Sequence, residues 1–142
     1  MTVVDANVFL YAYNADAPQH AVAAAWVEEL FNSSETIGLT WVTIWAFLRI
    51  ATNARVWPNP KSIEQAFQIV REWLARPGVV VLNPGPRHAE ILEDLLTRYR
   101  IGGPMVTDAV LAAIAFEYGA ALASTDRDFS RFANLRWINP AP

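Results

Sequence analysis

The 142-residue chain has no cysteine, which excludes a disulfide framework, a thiolate zinc site, an iron–sulfur cluster and a cysteine nucleophile. A reducing compartment suits such a chain, and a cytoplasmic location is expected. Any metal must be held by oxygen or by His20 and His88, the two histidines. Basic residues are scarce and unevenly placed. Lys61 is the one lysine, and residues 1–48 hold no Lys or Arg at all beside Asp5, Asp16, Glu28, Glu29 and Glu35. That excludes a basic tail of the kind that binds nucleic acid indiscriminately. Long apolar runs are missing too. The opening MTVVDANVFLYAYNADAP carries Asp5 and no basic flank, and it stops short of the roughly 20 apolar residues of a membrane span. It reads as a buried strand, and no membrane association is expected.

What is present is 54% hydrophobic residues, 18% charged residues and 14 Asp+Glu against 11 Lys+Arg. This profile fits one globular domain over residues 1–142, long enough to bury roughly two-thirds of its unfolded surface. After residue 48 the chain carries all eleven bases, ten of them Arg. Guanidinium groups gathered on one face bind phosphate bidentately, so a polyanionic partner stays open.

Hydrophobic spacing predicts alternating strands and helices. Thr2–Asp5 is a short β-branched run suited to a central strand. Ala23, Trp26, Val27, Leu30 and Phe31 share one face of a helix over 20–31, opened by Pro18. Ile37–Leu39 reads as a second strand, and Trp41, Ile44, Trp45 and Leu48 stripe a helix over 41–53 with Thr40 as N-cap. A helix over 62–75 ends at Pro77-Gly78, and Val79–Leu82 reads as a buried strand. Helices over 87–99 and 105–118 follow, the second with Gly119 at its C′ position. Strands at 121–124 and 135–138 complete an α/β fold with a mostly parallel sheet of four or five short strands between helices and right-handed crossovers.

In an open α/β sheet the functional crevice lies beyond the carboxyl ends of the strands. Asp5 closes the first strand, Asp108 opens the helix after Gly102-Gly103-Pro104, and Asp126 and Asp128 follow the 121–124 strand. Three segments thus bring carboxylates to one edge. Clustered carboxylates repel one another unless a cation is present, and oxygen-only ligation is what Mg²⁺ or Mn²⁺ prefers. The matching chemistry is metal-assisted hydrolysis of nucleic acid. Each Asp alone also suits a turn or a helix cap, and Asp128 in particular suits a cap on the 129–132 turn.

The opening Val-Val-Asp-Ala-Asn-Val-Phe-Leu, the middle Phe-Leu-Arg-Ile-Ala-Thr-Asn-Ala-Arg-Val, the Thr107-Asp108-Ala-x-Leu-Ala-Ala and the Ser-Thr-Asp-Arg-Asp-Phe resemble the PIN-domain ribonucleases. More narrowly they resemble the toxin half, VapC, of bacterial VapBC toxin–antitoxin pairs. The resemblance runs from Thr2 to Ile138, with the four motifs in family order. It implies a three-layer PIN-like fold and a Mg²⁺-dependent endoribonuclease cutting tRNA or ribosomal RNA. It also implies a homodimer held inactive by a cognate VapB-type antitoxin. By position, Asp5 and Asp108 match the principal metal ligands and Asp126 the fourth acidic residue. Asp128 matches an auxiliary acid, Asn7 the polar residue two places after the first Asp, and Thr125 a hydroxyl beside the late acids.

One position departs from the pattern. The family's Glu three residues before the Phe-Leu-Arg arginine falls at Ala46, which offers no ligand. Thr43, one turn earlier, is a candidate to hold a metal-associated water. Arg49 on the same face suits either a contact with substrate phosphate or an antitoxin carboxylate, or a surface ion pair. Arg127 is expected to point away from Asp126 and Asp128 in an extended segment. His20 and His88 are read as non-catalytic. The tryptophans on helical stripes are expected in core or subunit packing. The apolar early helices are expected to supply a dimer face and an antitoxin groove. The alternative to an active nuclease is a catalytically degenerate PIN-fold module that binds RNA or an antitoxin without turnover. A phosphotransfer domain of receiver or phosphatase type is disfavoured, because the first strand gives Asp5-Ala-Asn where that chemistry wants an acidic pair, and no lysine follows a late strand.

Overall fold

The computed structural model describes residues 1–142. Five parallel strands form one sheet in the order β3-β2-β1-β4-β5: β1 (Thr2–Val4), β2 (Ile37–Thr40), β3 (Val79–Leu82), β4 (Ala121–Ala123) and β5 (Trp137–Ile138). Six helices cover it: α1 (Ala6–Ala12), α2 (His20–Asn32), α3 (Trp41–Ala51), α4 (Ile63–Ala75), α5 (His88–Arg98) and α6 (Val106–Glu117).

Side chains alternate across a strand, and that alternation divides the core in two. Val4, Ile37 and Leu39 face a cluster built with α1 to α4, whereas Val3, Leu82 and Leu122 face a second cluster built with α5 and α6. Gly38 lies between, where a Cβ would come within 2.6 Å of Leu82 Cδ1 and 3.1 Å of Val3 Cγ2. Glycine there lets β2 sit flush under the second cluster.

Trp73 of α4 knots the first cluster together. It is 1% exposed, stacks on Phe9 of α1 at 4.1 Å, meets Phe47 of α3 at 4.7 Å, and donates from Nε1 to the Tyr13 hydroxyl at 3.1 Å. A capping box of Ser62 and Gln65 starts the helix that carries it. Gly119, at φ +63°, ends α6 in the left-handed conformation expected of a C′ glycine.

Several expectations change. The opening strand is only three residues long, and Asp5 caps the unforeseen helix α1 by accepting from the Ala6 N–H. Its sequence, ANVFLYA, is too apolar and aromatic for periodicity to separate strand from helix. Val79–Leu82 is an edge strand with Val80 43% exposed, so it is not the buried strand expected. On α3 the buried face is Thr43, Ile44, Phe47 and Ala51, while Trp41 and Trp45 face outward. The helix is apolar around most of its circumference, so the stripe could not be phased from spacing alone. No helix is long and apolar enough to cross a membrane.

Candidate active site

The chain runs β1, β2, β3 to one side of the sheet and then returns to β4 and β5 on the other, so the strand order switches between β1 and β4. Crevices at such switch points are where α/β sheets bind ligands. Asp5 leaves β1 there, and the segment Ser124–Asp128 leaves β4 beside it. Helix α6 runs back along the sheet into β4, which places its first turn, with Asp108, at the same edge.

Hydrogen bonds wire the two strand ends together. Asp5 Oδ1 accepts from the Ala6 N–H at 2.7 Å, and its Oδ2 accepts from Ser124 Oγ at 2.8 Å and Asn7 Nδ2 at 3.1 Å. Ser124, fully buried, also accepts from Asn7 Nδ2 at 3.0 Å and from the Asp126 N–H at 3.0 Å. Asn7 Oδ1 accepts from the Thr125 N–H at 3.0 Å. Thr125 therefore joins through its backbone, and Ser124, unremarked in the sequence, is the hub. Its signal was available: a serine closing an apolar strand two residues before an Asp is a side-chain-capped turn. Asp126 continues the pattern, capping a 3₁₀ turn over Arg127–Arg131 by accepting from the Asp128 N–H at 2.9 Å. Asp126, and not Asp128, is the cap.

Carboxylate oxygens of Asp108, Asp126 and Asp128 lie within 4.8 Å of one another. Asp5 stands beside this trio, its charge acting on Asp108 and its own carboxyl feeling that of Asp126. Desolvation pushes the Asp108 carboxyl up from 3.8 to about 6, reinforced by repulsion from Asp126, Asp5 and Asp128 and opposed by Arg131. Burial likewise raises Asp5, against the lowering effect of its Ser124, Ala6 and Asn7 hydrogen bonds. Asp108 has no hydrogen-bond donor on it, so both of its oxygens are uncommitted. An all-oxygen set under mutual repulsion, with free lone pairs, fits a hard divalent cation.

Other expected participants lie elsewhere. Thr43 is fully buried and donates from Oγ1 to the Val4 carbonyl at 2.9 Å, so it ties α3 to β1 and has no hydroxyl to offer a water in the cleft. Ala46 is half-buried against the first core cluster. Arg49 is exposed, and no hydrogen bond or ion pair ties it to the four aspartates. Arg127 is exposed as expected, although the segment is a 3₁₀ turn and not extended. His20 Nδ1 lies 3.0 Å from the Tyr11 carbonyl and His88 opens α5, both outside the trio.

The PIN domain profile matches residues 2–135. Ribonuclease VapC33 of Mycobacterium tuberculosis is 44% identical over 140 residues, covering 99% of this chain and 98% of that protein. Ribonuclease VapC37 of the same species is 41% identical over 140 residues, covering 99% and 97%. Among solved structures, VapBC2 from Rickettsia felis, bound to a DNA fragment from their promoter, superposes with a TM-score of 0.71 at 19% identity over 97% of each chain. Mycobacterium tuberculosis VapC20, described as a sarcin–ricin-loop-cleaving toxin, gives 0.70 at 16% identity over 96% of this chain and 98% of that one. Matched almost end to end, with its acidic edge built where strand order reverses, the chain belongs to the PIN-domain family and, within it, to the VapC group.

Proposed function

We propose that the chain, a single domain over residues 1–142, is a VapC-type toxin that hydrolyses phosphodiester bonds in tRNA or ribosomal RNA in the cytoplasm. The observation that carries this is the convergence of Asp108, Asp126 and Asp128 beside Asp5. Asp5, Asp108 and Asp126 are assigned to Mg²⁺, with Mn²⁺ as a substitute of the same oxygen preference. When bound, such an ion lowers the pKa of an attacking water and offsets charge building on the phosphoryl group.

The protein's part is orientation. Asp5 is held on both oxygens, so its position is preset before any ligand arrives. Asp126 has Oδ1 committed to the Asp128 N–H and Oδ2 free. Asp108, without a donor, is free to turn toward a ligand. Asn7 and the Thr125 N–H keep the two strand ends in register. Asp128 supports the trio from its third corner, and exposed Arg49 is assigned to RNA phosphate or an antitoxin carboxylate.

A VapB-type antitoxin is the assigned protein partner, in line with the VapBC complexes that share this fold. A second copy is assigned to the outward face of α3, where Trp41 and Trp45 are 38% and 64% exposed with ring centroids 6.4 Å apart. Ala46 favours one other reading, a module that binds RNA or an antitoxin without turnover.

Induced expression separates the two. The wild-type chain is expected to arrest growth with cleaved cellular RNA, and both Asp5→Asn and co-expression of a VapB-type antitoxin encoded beside it are expected to relieve the arrest. Equal arrest by Asp5→Asn would contradict the assignment. No arrest and no RNA cleavage with either ion would support the non-catalytic module.

A further inference from the structure

Among the eleven basic residues one, Arg131, is carried to the rim of the acidic cleft by the turn that holds it. In a 3₁₀ turn residues three apart share a side. Phe129 is fully buried and Phe132 is 3% exposed, so the turn is pinned inward at those positions and presents Asp128 and Arg131 together. Arg131 Nε donates to the Asp128 carbonyl at 3.1 Å, Nη2 lies 3.6 Å from Asp128 Oδ1, and Nη1 lies 3.6 Å from Met105 Sδ. Met105 directly precedes α6, whose first turn carries Asp108. The guanidinium thus bridges the two segments that supply the trio.

Most of its bonding capacity is unused. A guanidinium has five N–H donors. Here one makes a good bond to a carbonyl, one makes a weak contact to sulfur, and the Asp128 carboxylate is at ion-pair distance only. Arg49, Arg55 and Arg127 form no ion pair, whereas Arg131, exposed like them, pairs with Asp128 and its charge reaches Asp108.

We propose that Arg131 works in two successive settings: as the tethered counter-ion of the carboxylate cluster before a divalent ion binds, and as the group that holds the RNA phosphate afterwards. The inference rests on the metal-nuclease reading above. One divalent ion leaves four carboxylates still net negative, and a phosphodiester approaching them is repelled. A guanidinium released from Asp128 offsets that charge and offers its planar fork to the non-bridging oxygens.

Loss of this group has opposite effects on two ligands. A more negative site binds metal more tightly, while the phosphate loses a charged donor. A merely structural role would weaken both. The test uses the full chain, with Mn²⁺ alone titrated by calorimetry and RNA cleavage followed at saturating Mg²⁺. Arg131→Ala is expected to tighten Mn²⁺ binding about 3- to 10-fold and to lower kcat/KM about 10- to 100-fold. The salt dependence of KM should lose roughly one phosphate contact. Arg131→Lys keeps the charge without the fork, so Mn²⁺ affinity should stay within about twofold of wild type and cleavage should recover in part. Unchanged or weaker Mn²⁺ binding by Arg131→Ala overturns the counter-ion role, and unchanged kcat/KM overturns the phosphate role. Because the Mn²⁺ arm needs no turnover, a wild type that binds Mn²⁺ and cleaves no RNA refutes the nuclease reading separately.

Discussion

Asp108 is the least committed carboxylate of the cleft, and its raised pKa of about 6 makes it a reporter of the site. A carboxyl that holds its proton more tightly folded than unfolded stabilises the fold below the unfolded value of 3.8, and this contribution is lost as pH rises through about 6. In chelator, the melting temperature of the wild type relative to Asp108→Asn should therefore fall between pH 4 and pH 6 and level off above. Divalent ion added above pH 6 should raise the wild-type melting temperature selectively. A difference between the two proteins that does not change with pH would refute the crowding of charge at this position. The four aspartates stand out in the sequence because acids that follow a strand, as Asp5, Asp126 and Asp128 do, or open a helix, as Asp108 does, contrast with the apolar runs beside them. For Ser124 only the local turn with Asp126 was legible, since a single hydroxyl after Ala121–Ala123 becomes a hub to Asp5 and Asn7 only once β1 and β4 are known to be neighbours. Arg131 was hidden for the same kind of reason: a turn at 129–132 is expected from the sequence, but the direction of Arg131 depends on which of its residues, Phe129 and Phe132, are buried.

Helix α1 positions Asp5, and α1 is itself held by aromatic packing. Phe9 stacks on Trp73, and Tyr13 accepts the Trp73 indole N–H. Trp73→Ala would leave a large cavity under α1, α3 and α4 and an unpaired Tyr13 hydroxyl, with an expected loss of about 3–5 kcal/mol in denaturant unfolding. A loss under about 1 kcal/mol would show that the knot is loosely packed. Elements longer than ten residues were legible from their 3.6-residue spacing, as α4 and α5 show. Short apolar elements were not. Seven-residue α1 continues the pattern of β1, and the Asp5 cap was the one signal that separated them. For α3 the helix itself was readable and its inward face was not, because Trp41, Ile44, Trp45, Phe47 and Leu48 are apolar all round and the two polar residues point opposite ways, Thr43 inward and Arg49 outward.

Across the whole chain, charge is distributed unevenly along the sequence. The first 48 residues carry acids alone, and the bases follow, so the net charge of −3 understates what the surface can bind. Trp41 and Trp45 are exposed, and the proposed dimer through them predicts that Trp45→Asp converts a dimer to a monomer in sedimentation equilibrium. An unchanged mass would place the interface elsewhere. The absence of cysteine, with both histidines outside the trio, leaves oxygen as the ligand chemistry of the cleft. The most direct test is the initial rate of RNA cleavage by the purified chain as Mg²⁺ is titrated, for wild type and Asp108→Asn. Saturable Mg²⁺ dependence, abolition by chelator and a loss of roughly 100-fold or more in the variant are the expected results. Cleavage that survives chelation, or that proceeds undiminished in Asp108→Asn, would contradict the account.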